Sequence, residues 1–246
     1  MRRTRLAAAI AAIGIATGAA ACGGEETVVT VTTDTAGTSG EPPSTATTST
    51  TLTPPATETS STAPDTAGPE LSLLERMPPA DAYPGVNAGE AESIPTAIGM
   101  TERLYASGDP ARIPAADALD EAGYAGGYLR DDRGQDPATG LALFRSYVFE
   151  LGAAEDAVEQ TNDSADEVLR TTALDTDTFD VPDIPDARGV VASGSQAGTD
   201  LAVAFIVFPA GSYVYGLQAV AGSESGIDLD RLQSIAAAQY EQALGG

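Results

Sequence analysis

The sequence predicts an α+β domain over residues 71–246, with a twisted, mainly antiparallel sheet of about five strands and packed helices. A disordered stalk is expected to precede it. Two strand-like runs, 201–208 and 213–220, are separated only by a Pro-Ala-Gly-Ser turn, which favours a hairpin. The links between predicted strands are short, which favours antiparallel pairing. The run 201–208 is apolar at every position, so both its faces should be covered, by two helix layers or by a helix layer and a partner.

Four helices are predicted from apolar spacing near 3.6 residues and from capping residues, over 95–107, 114–122, 153–170 and 228–243. Gly99 weakens the first helix, and the polar run Asn162-Asp163-Ser164 could divide the third in two. Asp228 should cap the last. The inward faces expected for the first and last helices are Ile94, Ile98, Thr101 and Tyr105, and Leu229, Leu232, Ile235, Ala236 and Tyr240.

Five strands are predicted from runs of β-branched and aromatic residues between turn signals. Their ranges are 124–130, 141–151, 189–192, 201–208 and 213–220. Residues 71–93 are rich in Pro and Gly, so we expect them to wrap the surface without forming a regular element.

The first 21 residues have the order of a secretory signal. Three arginines within residues 1–5 precede an apolar stretch over 6–17 and small residues over 18–21. Twelve apolar residues are too few for a bilayer core of ~30 Å, which needs about 20 residues of helix. The pattern therefore predicts a signal peptide rather than a membrane-spanning anchor.

The segment Ala19-Ala20-Ala21-Cys22 resembles the lipobox of bacterial lipoproteins of the actinobacterial type, although Ala19 stands where leucine is usual. The resemblance implies that Cys22 receives a diacylglyceryl group and becomes the mature N-terminus. It also implies an extracytoplasmic location, with the lipid holding the protein to the cell membrane. The alternative is a soluble secreted protein cleaved near Cys22.

Residues 22–70 follow as a predicted tether. Positions 23–70 hold 21 Ser or Thr, six Pro and seven acidic residues, with no basic or aromatic residue. Such a segment buries too little apolar surface to offset chain entropy, so we expect disorder. The Thr-rich runs suit either O-linked sugars or a bare polar spacer.

Composition excludes several kinds of chemistry. The formal net charge is −24, and the chain lacks His, Lys and Trp and has one Cys. Without His or Lys there is no imidazole base, Schiff base or phosphate-loop lysine, and one Cys cannot form an internal disulfide or a thiolate zinc site. An acidic chain of pI about 4.1 argues against nucleic acid as a partner.

Two acidic clusters are candidates for chemistry. The run Asp175, Asp177, Asp180, Asp183 and Asp186 departs from an EF-hand, because Asp180 and Asp186 stand where Gly and Glu are needed. We expect a stiff, solvated loop there, with a weak divalent-ion site as the alternative. Asp131, Asp132 and Asp136 are expected in a loop, where paired carboxylates could serve a glycosidase if held apart.

Glycines suggest no catalytic motif. Gly123, Gly126 and Gly127 do not form GxGxxG, and Gly194-Ser195 and Gly222-Ser223 do not form GxSxG. In the last predicted strand, Tyr213, Tyr215 and Leu217 share one face, while Val214 and Gly216 share the other, where Gly216 leaves a gap. The gap is filled either by core packing, or by an apolar ligand in a shallow pocket under the last helix.

Together these features predict an extracytoplasmic lipoprotein with a non-catalytic binding module. Its expected partners are a neutral or basic protein or a cell-wall polymer, besides the membrane. The alternatives are a carrier of an apolar molecule or lipid, and, more weakly, a carboxylate-dependent hydrolase. Cys22 is the one assigned site, with no cofactor or metal expected. Over 120–245 the element order loosely resembles the Mog1/PsbP-like sandwich of some actinobacterial lipoproteins.

Overall fold

The structure is a computed structural model that describes residues 71–135, 140–172, 174–196 and 199–245. The predicted signal peptide, Cys22 and tether lie outside these residues, as does Asp136. Eight strands are described: β1 (Val86–Asn87), β2 (Glu92–Ile94), β3 (Gly126–Gly134), β4 (Leu141–Glu150), β5 (Asp175–Phe179), β6 (Arg188–Gln196), β7 (Thr199–Ala210) and β8 (Tyr213–Ala221). Four helices accompany them: α1 (Ala97–Leu104), α2 (Arg112–Glu121), α3 (Ala154–Thr171) and α4 (Leu229–Gly245). A 3-10 turn, Glu224–Gly226, precedes α4.

All eight strands belong to one open sheet with antiparallel pairing throughout. The order is β1-β3-β4-β8-β7-β6-β5, and β2 also pairs with β3. The predicted α+β class is confirmed, with eight strands in place of five. The three additional strands, β1, β2 and β5, lie at the two edges.

Each face of the sheet carries helices, as the apolar run in β7 requires. We call the face that presents Phe144, Ile206, Phe208, Tyr215 and Leu217 the front face; α4 packs on it through Leu232, Ile235 and Ala236. The opposite, back face presents Tyr147, Phe149, Phe205, Val207 and Val214, and is covered by α1, α2 and α3 through residues that include Met100, Leu119, Ala157 and Ala165. Consecutive residues of β7 thus enter two separate cores.

The segment before β1 contributes more than a surface wrap. Met77, Ala82 and Tyr83 are buried in the front core, and the Tyr83 ring stacks on Phe144 at 5.1 Å between centroids. The expectation for residues 71–93 was therefore wrong in two respects, because these residues also include β1 and β2. The high Pro and Gly content of this segment suggested a surface loop, although some of its side chains pack in the core.

Helix α3 is continuous, which corrects the break considered at residues 162–164. The Asn162 side chain donates to the Val158 carbonyl oxygen at 3.0 Å, and Ser164 accepts from Gln160 at 3.2 Å. Because these polar groups bond within the helix, they do not interrupt its backbone. The Asp228 carboxylate accepts from the Arg231 N–H at 2.9 Å, which confirms the predicted cap of α4.

Helix α1 is shorter than predicted, and three of the four residues expected to face inward, Ile94, Thr101 and Tyr105, are buried. Thr96 caps it by accepting from the Gly99 N–H at 3.2 Å, and Ala97, Met100 and Thr101 are buried. Ile98 is 37% exposed, so its expected inward orientation was wrong. None of the helices in the described ranges is both long and apolar enough to cross a membrane.

Candidate interaction surface

Most arginines of the domain are engaged by other residues of the chain, some of them in the interior and some at the surface. Residues 71–246 contain 29 acidic residues and nine arginines, a net charge of −20. Eight arginines make an ion pair, a hydrogen bond or a ring contact: Arg76, Arg103, Arg112, Arg130, Arg145, Arg170, Arg188 and Arg231. Arg133 is exposed and makes no such contact with the described residues. The exterior is consequently acidic, with few cations available to neutralise it.

Arg130 and Asp132 form a buried clamp on the front face. Their side chains are 7% and 1% exposed, and Arg130 Nε lies 2.9 Å from Asp132 Oδ1. Asp132 also accepts from the Gly89 N–H at 2.8 Å. The remaining guanidinium nitrogens donate to the carbonyls of Pro78 and Pro79, both at 3.0 Å. The pair therefore ties β3 to two parts of the segment that precedes α1.

The carboxylates of Asp131 and Asp132 do not converge. They lie in β3 rather than in a loop, and because neighbouring strand residues point to opposite faces, they are separated by the sheet. Asp131 accepts from Arg145 at 2.6 and 2.9 Å, and Arg103 lies 3.7 Å away. Each carboxylate is held by its own guanidinium, so the paired acid and base of the glycosidase hypothesis are not formed by these two residues.

The acidic run at 175–186 combines an edge strand with two turns. Its first part is β5, which corrects the expected loop. Asp183 and Asp186 have φ of 65° and 59°, each directly after a proline, which is the type II turn pattern. Between them Ile184 is buried in the front core, while both aspartates are exposed.

These carboxylates are spread out rather than gathered. No group of three or more Asp, Glu, His or Cys side chains among the described residues is arranged to hold a metal ion. The divalent-ion alternative for the acidic run thus has no ligand set in this part of the chain. The five aspartates are instead exposed on an edge strand and in the turns that follow it.

The gap expected beside Gly216 is filled. Tyr147 is its cross-strand neighbour in β4, and a Cβ on Gly216 would lie 2.0 Å from the Tyr147 ring. Burial raises the pKa of the Tyr147 phenol well above its ordinary value. The glycine thus accommodates an aromatic ring of the core, and the packing interpretation is the correct one for this position.

The two Gly-Ser pairs, distant in sequence, meet at one cleft. Gly194, Ser195, Gly222 and Ser223 line it together with Ser193, Asp200, Leu201, Glu224 and Ser225, around a volume of about 490 Å³. Ser193 bonds Glu224, and Ser195 bonds Asp200. Carboxylates without an imidazole or amine partner orient the hydroxyls but supply no base of the usual serine-hydrolase kind. Sequence reasoning did not bring these pairs together, because their proximity depends on strand register.

Two further open clefts are lined by described residues. One, of about 450 Å³, lies between Tyr83, Leu141 and Asp228. The other, of about 400 Å³, lies where β5 meets the acidic turns, and its lining includes Phe179 and Arg188. We call this second one the Phe179 cleft.

A buried carboxyl lies on the back side. The Glu167 side chain is 4% exposed and pairs with Arg170, which is 54% exposed. Burial raises the pKa of the Glu167 carboxyl, and Arg170 offsets this only in part. Burial, with a further contribution from Glu167, also raises the pKa of Tyr105, whose hydroxyl has no hydrogen-bond partner among the described residues. Folding therefore disfavours the charged form of Glu167.

The chain shows little similarity to known proteins. No family model matches the chain, and no curated protein matches it. Among solved structures, the crystal structure of the extracellular domain of PknH from Mycobacterium tuberculosis matches with a TM-score of 0.46 and 15% identity. The match covers 72% of this chain and 93% of that chain. The Mog1/PsbP-like resemblance stays a prediction.

Proposed function

We propose that the chain is an extracytoplasmic lipoprotein whose folded domain is a non-catalytic binding module for neutral or basic partners. The N-terminal signal order and the lipobox-like segment support lipid attachment at Cys22 and location on the outer face of the cell membrane. The acidic stalk of residues 22–70 would hold the domain away from the membrane surface. The proposal separates into an anchoring part and a binding part, and each has its own test.

The observation that carries the binding part is that most arginines of the domain are engaged by other residues of the chain. The domain has a net charge of −20, and eight of its nine arginines are engaged in contacts within the chain, so carboxylates dominate its exterior. At physiological salt this field extends over a Debye length of about 8 Å. It repels nucleic acid, phosphate and anionic headgroups, and it attracts basic surfaces.

The local chemistry favours binding over catalysis. The adjacent carboxylates of Asp131 and Asp132 lie on opposite sheet faces, each paired with an arginine. The Ser193 and Ser195 hydroxyls donate to carboxylates, and the sequence has no histidine or lysine to act as the base of a serine nucleophile. The shallow pocket considered for the carrier alternative is not formed beside Gly216, because the Tyr147 ring occupies that space.

The binding part is tested with the full chain and four immobilised probes: a basic peptide, a neutral polysaccharide, DNA and phosphatidylglycerol vesicles. We expect retention of the basic or the neutral probe and none of the anionic ones. Retention on the basic peptide should fall as salt rises. Tight, salt-sensitive binding to DNA or to anionic vesicles would contradict the proposal.

The anchoring part is tested by Cys22→Ala in the native host. Wild type should partition into membranes and the variant into the soluble fraction, with slower signal processing. Ala21→Ser is a matched control, because a small residue before the cysteine is retained. Equal membrane partitioning of Cys22→Ala and wild type would refute lipid anchoring.

A further inference from the structure

One edge of the sheet is open for pairing. Among the described residues, β5 is hydrogen-bonded on one side only, to β6. The Thr178 N–H donates to the Asp177 side chain at 2.8 Å, so it points away from β6. Since backbone groups alternate in antiparallel strands, those of Thr176 also point outward. The Thr178 N–H is satisfied by Asp177, so an incoming strand would find the Thr176 N–H as donor and the Thr176 and Thr178 carbonyl oxygens as acceptors on this edge.

The negative charge at this edge favours an added strand that is basic. Asp175, Asp177, Asp180, Asp183 and Asp186 are all exposed, and none forms a salt bridge within the described residues. Arg188, the nearest arginine along the chain, is engaged by Asp166 and Asn162 of α3. The edge thus offers main-chain hydrogen bonds beside carboxylates that no described cation neutralises.

The spacing of the carboxylates matches a strand that carries several basic side chains rather than a single ion. Asp175 and Asp177 lie on one face of β5 and are about 7 Å apart along the strand. Alternate side chains of an added strand have the same spacing. A point cation would instead need converging ligands, which the described acids do not provide.

We propose that the β5 edge and the adjoining acidic turns dock a basic, extended segment of a partner protein as an added strand. The inference rests on the proposed binding function and names its site and partner class. Main-chain bonds to Thr176 and Thr178 hold the segment, and alternate Lys or Arg side chains meet the aspartates. The Phe179 cleft, about 400 Å³ at the end of β5, receives a side chain of the same segment.

Charge excludes two other occupants. Residues 23–70 of the chain contain seven acidic and no basic residues, so the stalk is repelled from this edge. A second copy pairing antiparallel through β5 would bring its Asp175 and Asp177 against the same residues here. Like charges at cross-strand positions are destabilising. A basic partner is the occupant that the edge accepts without such repulsion.

The backbone at the turns agrees with a requirement for negative charge. Asp183 and Asp186 occupy left-handed conformations that glycine adopts at lower cost. Replacing both by glycine should therefore raise the melting temperature while weakening binding. A purely structural role for these aspartates predicts the first effect without the second.

The test measures binding of the full chain to a synthetic peptide of alternating Lys and Thr at low salt. Asp175→Asn/Asp177→Asn should weaken binding about threefold to twentyfold, since an exposed ion pair contributes up to about fivefold. Asp117→Asn/Asp120→Asn is the matched control, on α2 near the other edge of the sheet, and should change binding less than about twofold.

A second pair of measurements tests strand addition itself. Thr176→Pro removes an outward N–H that β6 does not use, so it should weaken binding while the fold is retained. N-methylation of alternate residues in the peptide should weaken binding similarly without altering its charge. Undiminished binding in both cases would overturn strand addition.

The outcomes separate the inference from the proposed function. Equal weakening by the α2 control and the β5 variant would place binding in the general field, overturning the docking site while the proposed function stands. If the full chain fails to bind basic peptides and neutral polymers alike, the proposed function falls with it. Selective loss in the β5 variants, in Thr176→Pro and in the doubly glycine-substituted chain is the result expected.

Discussion

Asp131 and Asp132 are adjacent and chemically identical, yet substitution should affect them very differently. We consider Asp131→Asn and Asp132→Asn, which remove one charge each and preserve volume. The Asp131 side chain is 25% exposed and its main partner Arg145 is 19% exposed, whereas Asp132 and Arg130 are 1% and 7% exposed. The difference in burial, rather than the number of bonds, decides the magnitude.

For Asp132→Asn the free energy of unfolding should fall by about 3–5 kcal/mol, because the Arg130 charge stays buried without a counterion. In a domain of this size that corresponds to a loss of about 6–20 °C in melting temperature. For Asp131→Asn the loss should be at most about 1 kcal/mol, because solvent screens the charge left on Arg145. The double variant Arg130→Met/Asp132→Asn should be little less stable than Asp132→Asn alone, since it no longer contains the unpaired buried charge.

The assay is equilibrium urea unfolding of the full chain followed by circular dichroism, because the chain has no tryptophan. The slope of the unfolding free energy against urea concentration should be the same in all variants, so that differences in the unfolding midpoint report differences in stability. If the two single substitutions differ by less than about 1 kcal/mol, the Arg130–Asp132 pair is not the buried clamp described above.

Three further expectations follow from packing and burial. Gly216→Ala should cost about 1–3 kcal/mol, because its Cβ would lie 2.0 Å from the Tyr147 ring; a smaller loss would mean that the ring has room to move. A chain beginning at residue 71 should melt like the full chain. A chain beginning at residue 85 should lose more than about 3 kcal/mol of unfolding free energy, since Met77 and Tyr83 are buried, and equal melting of the two shortened chains would refute the packing of this segment. Burial raises the pKa of Glu167, so its stability contribution is present below the ordinary carboxyl pKa and is lost as pH rises through the folded-state pKa. Glu167→Gln should accordingly stabilise the protein at pH 7 but not below about pH 4, and a pH-independent difference in urea midpoints would contradict this.

The sequence predicts best the elements that have many apolar residues facing the two cores. β7 and β8 are almost wholly apolar because they are the centre of the sheet between two cores. Helix α4 has the predicted inward face and cap. In these elements burial, local propensity and capping all favour the same structure, so the pattern is sufficient.

The edge strands could not be predicted in the same way. β1, β2 and β5 are two, three and five residues long, and β5 reads Asp-Thr-Asp-Thr-Phe. Polar, charged residues are common on edge strands because they discourage unwanted pairing. Their strand conformation comes from backbone bonds to β3 and β6, which a single sequence does not display.

The candidate surfaces were predicted only in part, for a related reason. The acidic run was visible in the sequence, but its division into an edge strand and two turns was not. The Arg130 clamp joins residues 43 to 52 positions apart, and the serine cleft joins Ser193 to Glu224, 31 positions away. Such contacts depend on topology and register, which local patterns leave open.

The choice of cation links the interior of the domain to its surface. Arginine has several donors in a planar fork, so one side chain can bind a carboxylate and backbone carbonyls at once, as Arg130 does with Asp132, Pro78 and Pro79. A lysine at that position could not make the same set of planar contacts. With arginine committed to such contacts and lysine absent, each exposed aspartate adds to a field that few surface cations offset. Asp183 and Asp186 add to that field even at positions where glycine would relieve the backbone. The same composition that supports the buried clamp therefore leaves the surface rich in carboxylates, which is the basis of the proposed binding to basic partners.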